Sequence, residues 1–147
     1  MLIFFWFVEI LGCARFFFTT IRGEGGNKMP EVIVKLANRK IINPKQRENL
    51  GRQLQMIVAG ILSVEGTQAE LHACEVEVDY IVASSAAWMN GLDIIIKIEA
   101  NQYPERAGRA QEFSDAIKTL LSGNMYFPPI SSDRWNVWVR LAEGGWS

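Results

Sequence analysis

Cysteine and histidine are nearly missing from the chain. Cys13 and Cys74 are far apart and His72 is the single histidine, so no Cys/His zinc site can be assembled. Cys74 alternates with Val76, Val78 and Tyr80 along a β-prone stretch, the pattern of a small buried hydrophobe. His72 precedes that stretch in polar sequence and is expected at the surface or in a turn. Charge of one sign is also lacking. The 15 Lys+Arg and 16 Asp+Glu leave a net charge of −1, which provides neither a basic field for nucleic acid nor an acidic tail. No Ser/His/Asp set, phosphate-cradling glycine loop or paired carboxylates are visible. The 147 residues, 49% of them hydrophobic, suit one domain with a core large enough to fold without staples.

Met1 to Ile21 is dense in Phe, Leu and Ile and differs in character from everything after it. Three readings compete. Leu2–Ile21 approaches the roughly 20 residues of a membrane anchor, but Glu9 and Arg15 interrupt it at a cost. Ile10-Leu11-Gly12-Cys13 loosely suits lipoprotein processing, yet no basic residue precedes Arg15 as a secretion signal requires. Thirdly, the segment is a mistaken upstream start. Gly23-Glu24-Gly25-Gly26-Asn27-Lys28 requires a purine-rich coding stretch directly before Met29, where a bacterial gene would carry its ribosome-binding sequence. The mistaken start is preferred, then the anchor, then the signal. The chain is accordingly divided into a hydrophobic leader, 1–28, and a domain, 29–147. The leader holds Arg15, Arg22 and Lys28 against Glu9 and Glu24, so the remainder carries 12 basic and 14 acidic residues, net −2.

From Met29 the sequence falls into two similar halves. Val32–Leu36 is a short β-prone run. Asn43-Pro44 opens a helix, with Asn43 as N-cap, Pro44 at the first helical position and Gln46 completing a capping box. Leu50, Leu54, Ile57, Val58, Ile61 and Leu62 form its buried stripe. A strand follows over Ala73–Val82, with Glu75, Glu77 and Asp79 on a face that is wet or pairs with a basic neighbour. After a loop at Ser84–Gly91 the pattern repeats. Leu92–Ala100 is an Ile-rich interior strand. A second helix starts at Pro104, buries Ala110, Phe113, Ile117, Leu120 and Leu121, and ends at Ser122-Gly123-Asn124. Trp135–Leu141 closes the chain of elements. The order β-α-β, loop, β-α-β fits both the ferredoxin-like sandwich and the tautomerase fold, and periodicity does not choose between them.

Met29-Pro30 directly before a hydrophobic strand is the most informative feature. Proline tolerates the first position of a strand, so Pro30 can be a plain strand starter. If translation begins at Met29 and that residue is removed, Pro30 instead presents a secondary amine at a fixed place. In an apolar pocket beside cations such an amine loses its proton readily and works as a general base. Arg106 and Arg109, three apart at a helix start, would share a face. Free backbone N–H groups and bidentate guanidinium groups there suit a carboxylate. The alternative is that they pair with Glu105 or Glu112 on a solvated face.

Met29–Leu36, reading Met-Pro-Glu-Val-Ile-Val-Lys-Leu, resembles the opening of the tautomerase superfamily, which includes oxalocrotonate tautomerases, macrophage migration inhibitory factor and chloroacrylic acid dehalogenases. The resemblance spans nearly all of 29–147 and concentrates at Met29-Pro30, Tyr103–Arg109 and Asp133–Trp146. It implies an α+β fold of two β-α-β units forming a four-stranded sheet with both helices on one face. It also implies catalysis by the N-terminal proline, which moves protons in an enol or keto acid or activates water against an unsaturated acid. Arg106-Ala107-Gly108-Arg109 is similar to the Arg-x-x-Arg pair that holds the substrate carboxylate in the dehalogenase branch. Asp133–Arg140 resembles the last core strand of the migration-inhibitory-factor and dehalogenase branches. Alternation groups Asn136, Trp138 and Arg140 on one face, either as a pocket wall for a conjugated acid or, for Trp138, as packing against a neighbouring subunit. The migration-inhibitory-factor branch carries Tyr and Asn at the positions matching Trp138 and Arg140. Specificity therefore does not transfer, and Trp138 supplies no proton-donating phenol. Arg39 and Lys40 lie near the place of a substrate-binding Arg in the oxalocrotonate branch, and Lys35 is a weaker candidate.

The resulting expectation is a tautomerase-fold isomerase of a small unsaturated or keto carboxylic acid, with dehalogenase-type hydration by the same base left open. Pro30, Arg106 and Arg140 are the expected catalytic residues, and Arg39, Arg109 and Trp138 the expected substrate contacts. No metal, organic cofactor or nucleic acid is expected. The resemblance implies a homotrimer, with Gly144-Gly145-Trp146 similar to the family's intersubunit C-terminal segment. Without its leader the chain is expected in the cytoplasm; membrane contact requires that residues 1–28 be translated. The rival is a non-catalytic ferredoxin-like binding module, tethered by residues 2–21.

Overall fold

The computed structural model describes residues 30–143. The leader, with its Cys13 and candidate anchor, and the closing Gly144-Gly145-Trp146 lie outside the described residues. Four strands and two α-helices alternate as expected: β1 Glu31–Leu36, α1 Pro44–Leu62, β2 Glu77–Val82, β3 Ile94–Asn101, α2 Ala110–Ser122 and β4 Trp135–Ala142. The strands form one sheet in the order β2-β1-β3-β4. β1 and β2 are parallel, β3 and β4 are parallel, and β1 meets β3 antiparallel. The two strands of each β-α-β unit are therefore direct neighbours. A ferredoxin-like sheet would split each unit with a strand from the other, so that rival topology is excluded.

Strand alternation sorts the sheet into two unlike faces. Val32, Val34 and Leu36 from β1, Ile94, Ile96 and Ile98 from β3, and Trp135 and Val137 from β4 are buried on one face. They share a single core with Leu50, Leu54, Val58 and Leu62 of α1 and Phe113, Ile117 and Leu121 of α2. Both helices thus cover the same face. The other carries Glu31, Ile33 and Lys35; Ile95, Lys97 and Glu99; Asn136, Trp138 and Arg140; and Glu77, Asp79 and Ile81, none of them buried.

The first helix begins as the sequence dictates. Asn43 Oδ1 accepts from the Gln46 N–H at 2.8 Å, and Gln46 Oε1 accepts from the Asn43 N–H at 2.9 Å. The second departs from expectation. Pro104–Gly108 is a series of turns, Gly108 adopts φ +73°, and α2 starts only at Ala110. A left-handed residue cannot continue a right-handed helix. Leu120, expected inside, is 48% exposed, whereas Ser114 is buried. The helix ends at Ser122, with Gly123 as its cap at φ −94°. β2 is shorter than expected, because Ala73–Glu75 forms a 3-10 turn whose Glu75 carboxylate accepts from the His72 N–H at 2.6 Å. Cys74 in that turn is exposed, not a buried hydrophobe, and His72 is exposed as expected. Among the described residues no helix is long and apolar enough to cross a membrane.

Candidate active site

Pro30 stands one residue before β1 and is buried. Its carbonyl accepts from the Glu77 N–H at 3.0 Å, which extends the β1–β2 ladder by one bond. Glu31 faces Glu99 across the antiparallel pair, so Pro30 falls opposite Ala100. Alternation turns its ring toward the helices, with Val32 and Val34. Because β1 and β3 run in opposite directions, β3 ends where β1 starts, and the Tyr103–Gly108 turns follow at the same end of the sheet.

Those turns separate the two arginines that sequence spacing had joined. Arg106 is 2% exposed and faces inward. Its Nε donates to the Leu62 carbonyl at 3.0 Å, Nη1 to Asn101 at 3.1 Å and Nη2 to Ala69 at 3.0 Å. The Tyr103 ring centroid lies 5.2 Å from its guanidinium carbon. Burial pulls its pKa below the ordinary guanidinium value, while Tyr103 and Glu105 oppose that shift. A guanidinium held on three main-chain carbonyls inside the fold is a clamp, with donors engaged that the expected carboxylate-holding role would use. It joins the end of α1, the loop after it and the end of β3. Arg109 is exposed and forms a bidentate pair with Glu112, at 3.0 Å from Nε and 2.7 Å from Nη2. These hydrogen bonds raise the pKa of Arg109 and lower that of Glu112. Gly108 sends the two side chains to different surroundings, so they share no helical face.

The third group occupies the open face. Glu77, Glu31, Glu99 and Arg140 lie in register across the four strands, and Asp79, Ile33, Lys97 and Trp138 form the next row. Arg140 is thus at the Pro30 end of the sheet, about 10 Å away across two strands, but on the opposite face from the proline ring. Trp138 is 61% exposed. Beside it, Asn136 and Val139 line one wall of a cleft of about 280 Å³, and Ser114, Asp115 and Lys118 of α2 line the other. The hydroxyl of Ser114 donates to the Ala110 carbonyl and accepts from the Val139 N–H at 3.1 Å. Lys118 donates to Ser132 and Trp135 carbonyls at 3.1 Å each. Arg39 and Lys40 are exposed beyond the far end of β1, roughly 20 Å from Pro30 at about 3.3 Å per strand residue. Lys35 lies on the open face in register with Ile81 and Ile95.

Within the chain, therefore, Pro30 and Arg106 share an end of the fold, Trp138 and Arg140 share a face, and Arg39 and Arg109 join neither group. No sequence pattern signals the inward turn of Arg106, or Glu105, whose Oε2 is buried without a hydrogen-bond partner among the described residues. Among the described residues no group of His, Cys, Asp and Glu could hold a metal ion.

No protein-family model and no curated protein matches the sequence. Solved structures do match the fold. A macrophage migration inhibitory factor-like protein from Entamoeba histolytica superposes with a TM-score of 0.54 at 13% identity, over 79% of this chain and 90% of that one. The native Ps01740 protein superposes with a TM-score of 0.46 at 17% identity, over 80% of this chain and 97% of that one. The four-stranded sheet and its two helices have the fold of the migration-inhibitory-factor-like protein, the tautomerase fold.

Proposed function

We propose that the chain begins in the cell at Pro30, after removal of Met29, and is an isomerase of a small unsaturated or keto carboxylic acid. One observation carries the reading. Pro30 directly precedes a central strand and is buried at the end of the sheet, so removing Met29 would leave a secondary amine on rigid scaffold. That amine takes a proton from a carbon or the enol oxygen of the substrate as general base and returns it to the other end of the conjugated system.

Arg140 holds the substrate carboxylate and stabilises the developing enolate charge, and Trp138 excludes water. Both project from the face that the helices leave bare, so they act on the Pro30 of a neighbouring subunit, in a homotrimer. Arg39 reaches a proline only from another subunit as well, and Arg109 acts only by releasing Glu112. Arg106 supports the site without contacting substrate. Hydration of an unsaturated acid by the same group is the alternative outcome of the same machinery. The reading includes a cytoplasmic location and requires no metal or organic cofactor. Ketonisation of an aryl or alkyl enol-pyruvate by the chain starting at Pro30 tests it. Pro30→Ala should lose nearly all of this activity, and a variant that keeps it would sink the mechanism.

A further inference from the structure

At the Pro30 end of the sheet one carboxylate oxygen is left over. Glu105 Oε2 is the buried side-chain polar atom that lacks a hydrogen-bond partner among the described residues, and such an atom calls for an explanation. Its neighbour Arg106 does not supply one, since the guanidinium donates to the Leu62, Asn101 and Ala69 carbonyls. Glu105 lies in the turns that continue from β3, where Tyr103 N–H donates to the Asn101 carbonyl and Arg106 N–H to the Tyr103 carbonyl. Asn101 follows Ala100, the residue opposite Pro30.

Removing Met29 replaces one N–C bond of Pro30 by hydrogens. They point out of the end of β1, the direction in which β3 runs on toward Asn101 and these turns. A protonated proline brings two N–H donors and a positive charge to the end of the fold where a buried carboxyl oxygen lacks a donor.

We propose that Glu105 is the positioning residue for the Pro30 amine, accepting a hydrogen bond from it and steadying its protonated form between the two halves of each proton transfer. The inference rests on the N-terminal amine of the proposed function. The other charged groups at this end are already engaged or face elsewhere. Glu31, Glu77, Glu99 and Arg140 lie on the open face, away from the proline ring. From the 3-10 turn before β2, the Glu75 carboxylate accepts from the His72 N–H. Tyr103 packs on Arg106, the buried cation of the same turns.

The test is a titration of the Pro30 amine by ¹⁵N NMR in the chain made from a Met29 start, alongside the pH profile of its proton transfer. Glu105→Gln should lower the midpoint by about one unit or more and move the pH profile by the same amount, and Glu105→Asp should restore part of the shift. An unchanged midpoint overturns the inference, as does a shift that Glu31→Gln reproduces in full. If Glu105→Gln does not fold, the parent chain decides: the Glu105 carboxyl ¹³C resonance should move through the midpoint of Pro30, and a resonance flat through that pH overturns the pairing. Because the chain is made with the amine exposed, this result stands apart from whether the cell exposes it.

Discussion

Arg106 and Arg109 are the same residue type three positions apart, and the fold gives them opposite fates. Arg106 satisfies three carbonyls from three segments, so truncating it strands several buried acceptors, each worth about 1–3 kcal/mol. Arg106→Met should therefore destabilise the protein by about 3 kcal/mol or more, read from the midpoint of urea unfolding, whereas Arg109→Gln should leave that midpoint where it was. A reversed order would remove the clamp from the account. Tyr80 offers a second check at this scale. Its hydroxyl donates to the Arg47 carbonyl at 2.8 Å, and burial raises its pKa to about 12 against a weaker opposing effect of Arg47. An acid held neutral in the fold contributes stability that is complete below the unfolded pKa, about 10, and is lost as pH climbs toward 12. Of the three tyrosines, ultraviolet difference titration should find one ionising late, and Tyr80→Phe should abolish that late step.

The elements follow local chemistry wherever that chemistry is complete. The Asn43–Gln46 capping box forms as its residues demand, and Asn43→Ala should cost about 1 kcal/mol in thermal or urea unfolding. Loops join elements by less predictable contacts. Arg134, just before β4, forms a bidentate pair with Asp93, just before β3, at 2.8 and 2.9 Å. Its hydrogen bonds hold the Asp93 carboxyl below the usual range. A depressed carboxylate contributes stability present above the unfolded pKa, about 3.9, and lost as pH falls through the folded value. Asp93→Asn should flatten that part of the acid unfolding curve, and an unchanged curve would mean the pair is idle. The capping box, the stripe of α1 and the Ile-rich interior of β3 were legible because each is written in adjacent or periodic residues. The late start of α2 was not. Pro104 is a fair helix opener, and only the left-handed Gly108 and the pull of the Arg106 clamp toward the core keep that segment in turns. Nor was exposed Cys74 legible, since apolar alternation continued through a stretch that folds as a 3-10 turn.

The described residues form a two-layer fold, with both helices on one face of the sheet and no described element on the other. Ile33, Ile95, Ile81 and Trp138 lie on the bare sheet face, the last two 47% and 61% exposed, and three glutamates stand in register there on adjacent strands. Like charges directly opposite one another are unfavourable, so this face gains from cations and apolar surface supplied from outside. If it is the face joined in the proposed homotrimer, Trp138→Asp should shift the mass measured by light scattering from three chains to one, and the activity should fall with it. A Trp138→Asp trimer with full activity would separate this residue from both roles.

The central claim is that Pro30 is an amine in the cell, and one measurement addresses it directly: the intact mass and N-terminal sequence of the protein expressed from its own upstream DNA in a bacterial host. The account predicts a chain that starts at Pro30. A chain that starts at Met1 would make Pro30 an ordinary amide with no basic nitrogen, and the isomerase mechanism would fall with it.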